Sequence, residues 1–187
     1  MVAEYERRRF TTDEFNRMAE AGIFASDERV ELVEGHLVSY APPQGPLHAG
    51  ALWNFPEVIR TGLGGRAVLW SQLPVIISDT CELEPDLSIL SHREPGYIKA
   101  LPRLADVRAV VEIADSSIAS DRRRRLPVYA AAGIPEYWLV GVRQERIQIY
   151  RDPRGPEYAS YRLALRGDTI SFQAFPDVAF SVDELLG

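Results

Sequence analysis

The feature that most constrains this chain is one charge inside an apolar run. Ala109-Val110-Val111-Glu112-Ile113-Ala114 has the composition of a strand buried in the middle of a sheet. An unpaired carboxylate there costs several kcal/mol in lost hydration, so the fold must bring Glu112 a metal ion, an arginine or a proton. Twenty-six positions upstream, Asp86 follows Pro85 and opens a second apolar run. Proline cannot donate to a ladder, so Pro85 marks a strand entry and holds Asp86 at the mouth of the sheet. Two carboxylates from adjacent strand ends can hold a hard divalent cation such as magnesium, which takes oxygen ligands and keeps several waters. The same residues also suit a plainer reading, in which Asp86 caps a loop and Glu112 pairs with an arginine. Periodicity alone leaves both open.

Around these two positions the pattern alternates between helix and strand. Thr11–Ala21 reads as a short amphipathic helix capped by Thr11 or Thr12 and ended by Gly22. Val30–Val38 reads as a hairpin turning at Glu34-Gly35. Ala41–Pro46 is a breaker cluster and is expected to be loop. Leu47–Thr61 has one apolar helical face, with Pro56 implying a kink or an early stop. Strands are expected at Ala67–Trp70, Leu73–Ile77, Leu87–Leu90 and Ala109–Ala114. Ser120–Ala132 is the next helix, with Pro127 near its start and Gly133 as its cap. Tyr137–Val140, Arg146–Tyr150, Ser160–Leu165 and Thr169–Phe172 complete the strands, with a turn at Asp152-Pro153-Arg154-Gly155. No linker or internal repeat divides the chain, so residues 1–187 are expected to form one domain. Its fold class is α/β of the mixed α+β kind, a mixed sheet flanked by helices with an antiparallel C-terminal extension.

Charge and cysteine content narrow the function classes. With 27 acidic and 21 basic side chains the net charge is −6, which disfavours indiscriminate binding to nucleic acid or anionic membrane. An enzyme that meets a phosphodiester through a carboxylate-held metal is not excluded. Of the 21 basic residues only Lys99 is a lysine, so a mechanism needing a catalytic lysine has one candidate. The single cysteine, Cys81, excludes a disulfide framework. It has no neighbouring histidine that would make it a nucleophile. No apolar run approaches a membrane span, and the first ten residues are polar, so a cytoplasmic protein is expected.

Several segments then point the same way. Val110-Val111-Glu112-Ile113-Ala114-Asp115-Ser116-Ser117, Asp121, Leu126, Tyr129 and Ala132-Gly133-Ile134-Pro135-Glu136-Tyr137-Trp138-Leu139-Val140 closely resemble the Uma-two family of restriction endonuclease-like proteins. So do Glu31-Leu32-Val33-Glu34-Gly35, His48, Gln72-Leu73-Pro74-Val75, Glu84-Pro85-Asp86-Leu87, Arg166-Gly167-Asp168 and Phe175-Pro176-Asp177. The resemblance covers nearly the whole chain. It implies the PD-(D/E)XK nuclease fold, with acidic residues on adjacent strands gathering Mg2+ or Mn2+, and a hydrolase acting on DNA. Asp86 and Glu112 would stand at the acidic positions, and Glu31 could add a third carboxylate or simply form a salt bridge. The superfamily's usual lysine falls on Ala114. The family's alternative, a lysine on the following helix, falls on Arg125.

That departure bears on chemistry. Arginine keeps the charge and can grip phosphate, but it does not readily exchange a proton. The resemblance therefore implies either an Mg-dependent endodeoxyribonuclease handicapped by Arg125, or a weakened or inactive nuclease-fold module that binds nucleic acid or protein. A homodimer is expected in either case. Gln72, His48 and Arg122 are the candidates for contacting substrate. Against these stand plainer roles: Gln72 satisfying a strand edge, His48 capping a helix or filling a polar pocket, and Arg122–Arg125 lying on a solvated helix start. Four adjacent arginines at a helix N-terminus work against the macrodipole, a conflict that an anion or nearby carboxylates would relieve. Tyr137 and Trp138 read as core.

Overall fold

The structure, a computed structural model, describes residues 7–40, 45–114 and 118–187. In chain order the elements are α1 (Thr12–Glu20), β1 (Arg29–Val33), β2 (His36–Tyr40), α2 (Pro46–Leu63), β3 (Ala67–Ser71), β4 (Val75–Ser78), β5 (Cys81–Leu83) and β6 (Leu87–Ser91), then β7 (Val107–Ala114), α3 (Ile118–Ala131), β8 (Glu136–Gly141), β9 (Arg146–Arg154), β10 (Glu157–Leu165), β11 (Thr169–Ile170), β12 (Phe180–Ser181) and α4 (Val182–Leu186). Six strands make the main sheet in the order β10-β9-β8-β7-β6-β3, and four make a smaller sheet in the order β2-β1-β5-β4. Within the main sheet β7 and β8 are parallel, joined through α3, and every other neighbouring pair is antiparallel. No helix among the described residues is long and apolar enough to cross a membrane.

Local chemistry accounts for the element ends. Thr11 caps α1 by accepting from the Glu14 amide, while the Glu14 carboxylate accepts from Thr11 N–H. The β1–β2 hairpin turns on Glu34 and Gly35, both with positive φ (49° and 80°), the backbone a two-residue hairpin needs. Of the expected loop at Ala41–Pro46, residues 41–44 lie outside the described residues, and Pro46 already opens α2.

Three prolines behave differently from the sequence expectation. Helix α2 continues through Pro56 to Leu63. The lost hydrogen bond and ring crowding cost about 3 kcal/mol. Phe55, Ile59 and Leu63 on the same face are fully buried and outweigh that cost at roughly 1.5–3 kcal/mol each. Pro127 lies well inside α3, which starts at Ile118 rather than Ser120, so the arginine row sits in the second and third turns and not at the helix N-terminus. Pro153 lies within β9 rather than in a turn, pairing with Tyr158. Strand β8 reaches only as far as Arg151, so Pro153 sits where β9 has lost one neighbour, a place a strand tolerates proline. Strand β5 went unread in the sequence because three residues carry no period.

The main sheet is packed on both faces. Ala109, Val111 and Ile113 of β7 meet α2, α4 and the C-terminal segment, where Trp138 stacks on Phe172 at 4.0 Å between ring centroids. Val110 and Ala114 face the opposite side, against α3 and the small sheet. Alternation along β7 therefore puts Glu112 on the α3 side.

One charge is structural. Glu136, fully buried on β8, faces Arg151 across the β8–β9 ladder. It accepts from Arg151 Nε at 2.8 Å, Trp138 Nε1 at 2.7 Å and the Gln173 amide at 2.6 Å. Burial raises its pKa, and those donors pull it back. It fastens the C-terminal segment to the sheet. Glu136→Ala is expected to cost about 3–5 kcal/mol by stranding Arg151 and two N–H donors, read as a lowered midpoint in urea unfolding.

Strand β5 buries Cys81, whose thiol is pushed up to about 11, first by desolvation and then by Glu31, Glu34 and Glu82. At pH 8 about one thiol in a thousand is ionised, against about one in ten for a thiol at the unshifted value of 9.0. Reaction with a disulfide reagent should therefore be about 100-fold slower in the native protein at pH 8. It should accelerate as pH rises towards 11 and become fast in denaturant.

Candidate active site

The site begins with a register. Strands β6 and β7 pair antiparallel with Ser88 opposite Val110 and Leu87 opposite Val111. One step further along that register sets Asp86 opposite Glu112, cross-strand neighbours on one face of the sheet. Asp86 is 8% exposed and Glu112 7%. Asp86 Oδ2 accepts the Ile113 amide at 2.9 Å, which fixes the carboxylate at the end of the ladder. Glu112 Oε1 accepts from the Tyr129 hydroxyl of α3.

The arginine row divides by function. Arg125 turns inward from α3, pairing with Glu31 Oε2 and standing 3.4 Å from Glu112 Oε1. Glu31 reaches it from β1 of the small sheet and takes the Glu84 amide on its other oxygen at 2.7 Å. Arg122, Arg123 and Arg124 are exposed, and Arg122 stands near Tyr150, whose raised hydroxyl pKa its charge pulls back. The carboxylates that relieve the arginine row are thus Glu31 and Glu112, met by Arg125.

The electrostatics follow from burial. Desolvation pushes the Glu112 carboxyl up to about 8; Arg125 is the strongest influence pulling it back, and the Asp86 and Glu31 charges add to the rise. Burial, then the charge of Glu112, holds the Tyr129 hydroxyl well above the ordinary phenol range, so it stays a donor. Glu84 is also raised, by desolvation and by Glu31. Three buried carboxyls thus stand near one another, and burial keeps a proton on Glu112 at neutral pH until further positive charge reaches it.

Asp86 Oδ1 faces two other candidates. Gln72 Nε2 donates to it at 3.4 Å, and His48 Nε2 lies 3.9 Å away, brought there by the first turn of α2. Gln72 holds a positive φ of 49°, a strained backbone for a side-chain-bearing residue. Its amide is fixed by the Pro85 and Asp86 carbonyls. Glu31, Asp86, Glu112, Arg125, Gln72 and His48 are therefore brought together, whereas Arg122 faces elsewhere. Ala114, at the superfamily's lysine position, is buried against apolar neighbours. Lys99 is exposed in the loop before β7. Sequence reading missed Tyr129 and Glu84 as site residues. Tyr129 lies four residues after Arg125, one helical turn on the same face, which was the available signal.

The donors are hard oxygens, chemistry that suits a divalent cation. Among the described residues, however, no three His, Cys, Asp or Glu side chains stand together as a set that could hold a metal ion. The arrangement suits an ion held by two protein groups with water completing its shell. Glu31 is linked to Glu112 through Arg125 rather than across a shared cavity.

Known proteins match this architecture. Four solved chains do so, among them a crystal structure described as a putative nuclease belonging to DUF820 from Anabaena variabilis. It superposes with a TM-score of 0.73 over 95% of this chain and 97% of that one, at 19% identity, a likeness of fold. No curated protein matches the sequence. Residues 12–183 match the family described as "Uma2: Putative restriction endonuclease", and the chain belongs to that family.

Proposed function

We propose that this chain is a metal-dependent endonuclease that hydrolyses phosphodiester bonds in DNA. The observation that carries the reading is the β6–β7 register, which makes Asp86 and Glu112 buried neighbours on one face of the sheet. These two would hold Mg2+ or Mn2+, with Glu31 extending the negative wall behind Arg125. Such an ion, when bound, lowers the pKa of a water ligand and screens phosphate charge.

The chain's own groups supply orientation. The Ile113 amide and the Tyr129 hydroxyl hold the two carboxylates before any substrate arrives. Arg125 supplies a planar fork that can neutralise charge on a phosphate. It does not give up a proton, so its contribution is electrostatic. The exposed Arg122, Arg123 and Arg124 of α3 give an otherwise acidic protein a local strip for the DNA backbone.

One observation favours a second reading, a nuclease-fold module that binds nucleic acid without cutting it. Arg125 is already committed to Glu31 and Glu112. Substitution at this residue separates the two. Cleavage of plasmid, linear and single-stranded DNA is measured with Mg2+ or Mn2+. For the nuclease, Asp86→Ala and Glu112→Ala should each lower the rate by about 100-fold or more. Arg125→Lys should raise it about 10-fold, because lysine is a compact charge that can orient water, and Arg125→Ala should abolish it. For the binding module, neither wild type nor Arg125→Lys cuts, and Arg125→Ala weakens DNA affinity and flattens its salt dependence.

A further inference from the structure

The two edges of the main sheet differ. At one, β3 spans five residues and is largely half-buried; at the other, β10 runs for nine residues with no strand beyond it among the described residues. Leu165 donates its amide to Asp168 Oδ2 at 2.9 Å, and its carbonyl accepts the Asp168 amide, so its backbone polar groups point away from β9. Strand alternation then turns those of Leu163 and Tyr161 outward as well. Soluble proteins commonly blunt such an edge with lysine, proline or a bulge. From Ser160 to Leu165 this strand has no lysine or proline, one charge at Arg162, and an unbroken register with β9. Tyr161, Leu163 and Leu165 share one face and are 55%, 41% and 49% exposed, an apolar row along an open edge.

We propose that β10 is a dimer interface: a second copy of this chain pairs antiparallel along it about a two-fold axis, merging two six-stranded sheets into one. Self-complementarity selects both the occupant and the register. In such an isologous pair the residue on the axis meets itself. Centring on Arg162 sets two guanidinium side chains directly opposite, which is repulsive. Centring on Leu163 calls on the Leu165 amide, which Asp168 already holds. Centring on Ser160 puts Leu163 against Glu157 of the second copy. Centring on Tyr161 avoids all three. Tyr161 then meets its own counterpart, Leu163 meets Ala159, Arg162 meets Ser160, and Glu157 with Leu165 falls at either end. An apolar centre with charged ends is the anatomy of a specific interface. The axis crosses the sheet, so both α3 helices, with Arg122, Arg123 and Arg124 exposed on each, stand on one face of the dimer. The inference is independent of the reaction proposed above.

The test is sedimentation velocity from about 1 to 200 µM on wild type, Leu163→Lys and Ile98→Lys, the last replacing an exposed apolar residue in the loop before β7. One strand and its side chains make a small interface, so wild type should dimerise with a Kd of about 1–50 µM. Leu163→Lys should weaken the dimer about 100-fold or more with an unchanged urea midpoint, and Ile98→Lys should dimerise as wild type does. Tyr161→Cys should form a disulfide-linked dimer on mild oxidation, because facing residues of such a pair have Cα atoms about 5.5 Å apart. Leu163→Cys should not, and wild type, with Cys81 buried, gives no cross-link. A wild type that stays monomeric at the highest concentration overturns the interface, as does a dimer that Leu163→Lys leaves intact. Growth beyond a dimer overturns the two-fold closure, and cross-linking through Leu163→Cys instead of Tyr161→Cys overturns the register.

Discussion

The convergence of Glu31 and Glu112 on a single guanidinium, with Asp86 across the ladder from Glu112, sets the terms for everything around it. Each carboxylate is less than a tenth exposed, and buried charge of one sign is tolerable only where a counter-charge and hydrogen bonds reach it. Arg125 supplies the counter-charge to two of them, and Tyr129, the Glu84 amide and the Ile113 amide supply the hydrogen bonds. The parallel β7–β8 connection makes this possible, because its crossover helix α3 passes over the face of the sheet on which Glu112 stands. Fold and site are thus one electrostatic problem solved by a single crossover.

A second ionic centre shows the contrast between a satisfied and an unsatisfied arrangement. Glu136 has three strong donors within 2.8 Å and a partner directly across the ladder. Its carboxylate is spoken for, and it ties the chain's end to the sheet. At Asp86, by contrast, one oxygen is anchored and the other meets only long contacts. Burial is similar in the two places, while the filling of lone pairs differs. That difference separates a residue that holds the fold from one with capacity left for a ligand.

Much of this was legible in the sequence where one residue breaks a local rule. Glu112 in an apolar run and Asp86 behind a proline marked the two carboxylates, and Glu34-Gly35 marked a turn through its backbone demand. Glu136 was quoted in the sequence only for resemblance, because a charge beside a strand start is unremarkable until Arg151 is seen opposite. The prolines misled because their cost is local while the burial that offsets it at Pro56 is tertiary. The inward turn of Arg125 was hidden in a row of four identical residues. Helical phase decides which of the four faces the sheet, and that phase is set by how α3 packs on it, with Tyr129 one turn beyond Arg125 on the same face. The approach of His48 to Asp86 joins positions 38 residues apart on different elements, a relation no periodicity carries.

The two sheets have separate hydrogen-bond ladders, and Glu31 belongs to the small one while Asp86 and Glu112 stand at the large one. Neither ladder's own strength protects the ion pair between them. An opening between the two sheets would release Arg125 from Glu31 while leaving every strand paired. Amide exchange would then register no loss within β1 or β7 during an event that dismantles the charge network. A substitution in the apolar layer between the sheets, far from any carboxylate, therefore acts on the charge network by way of that opening.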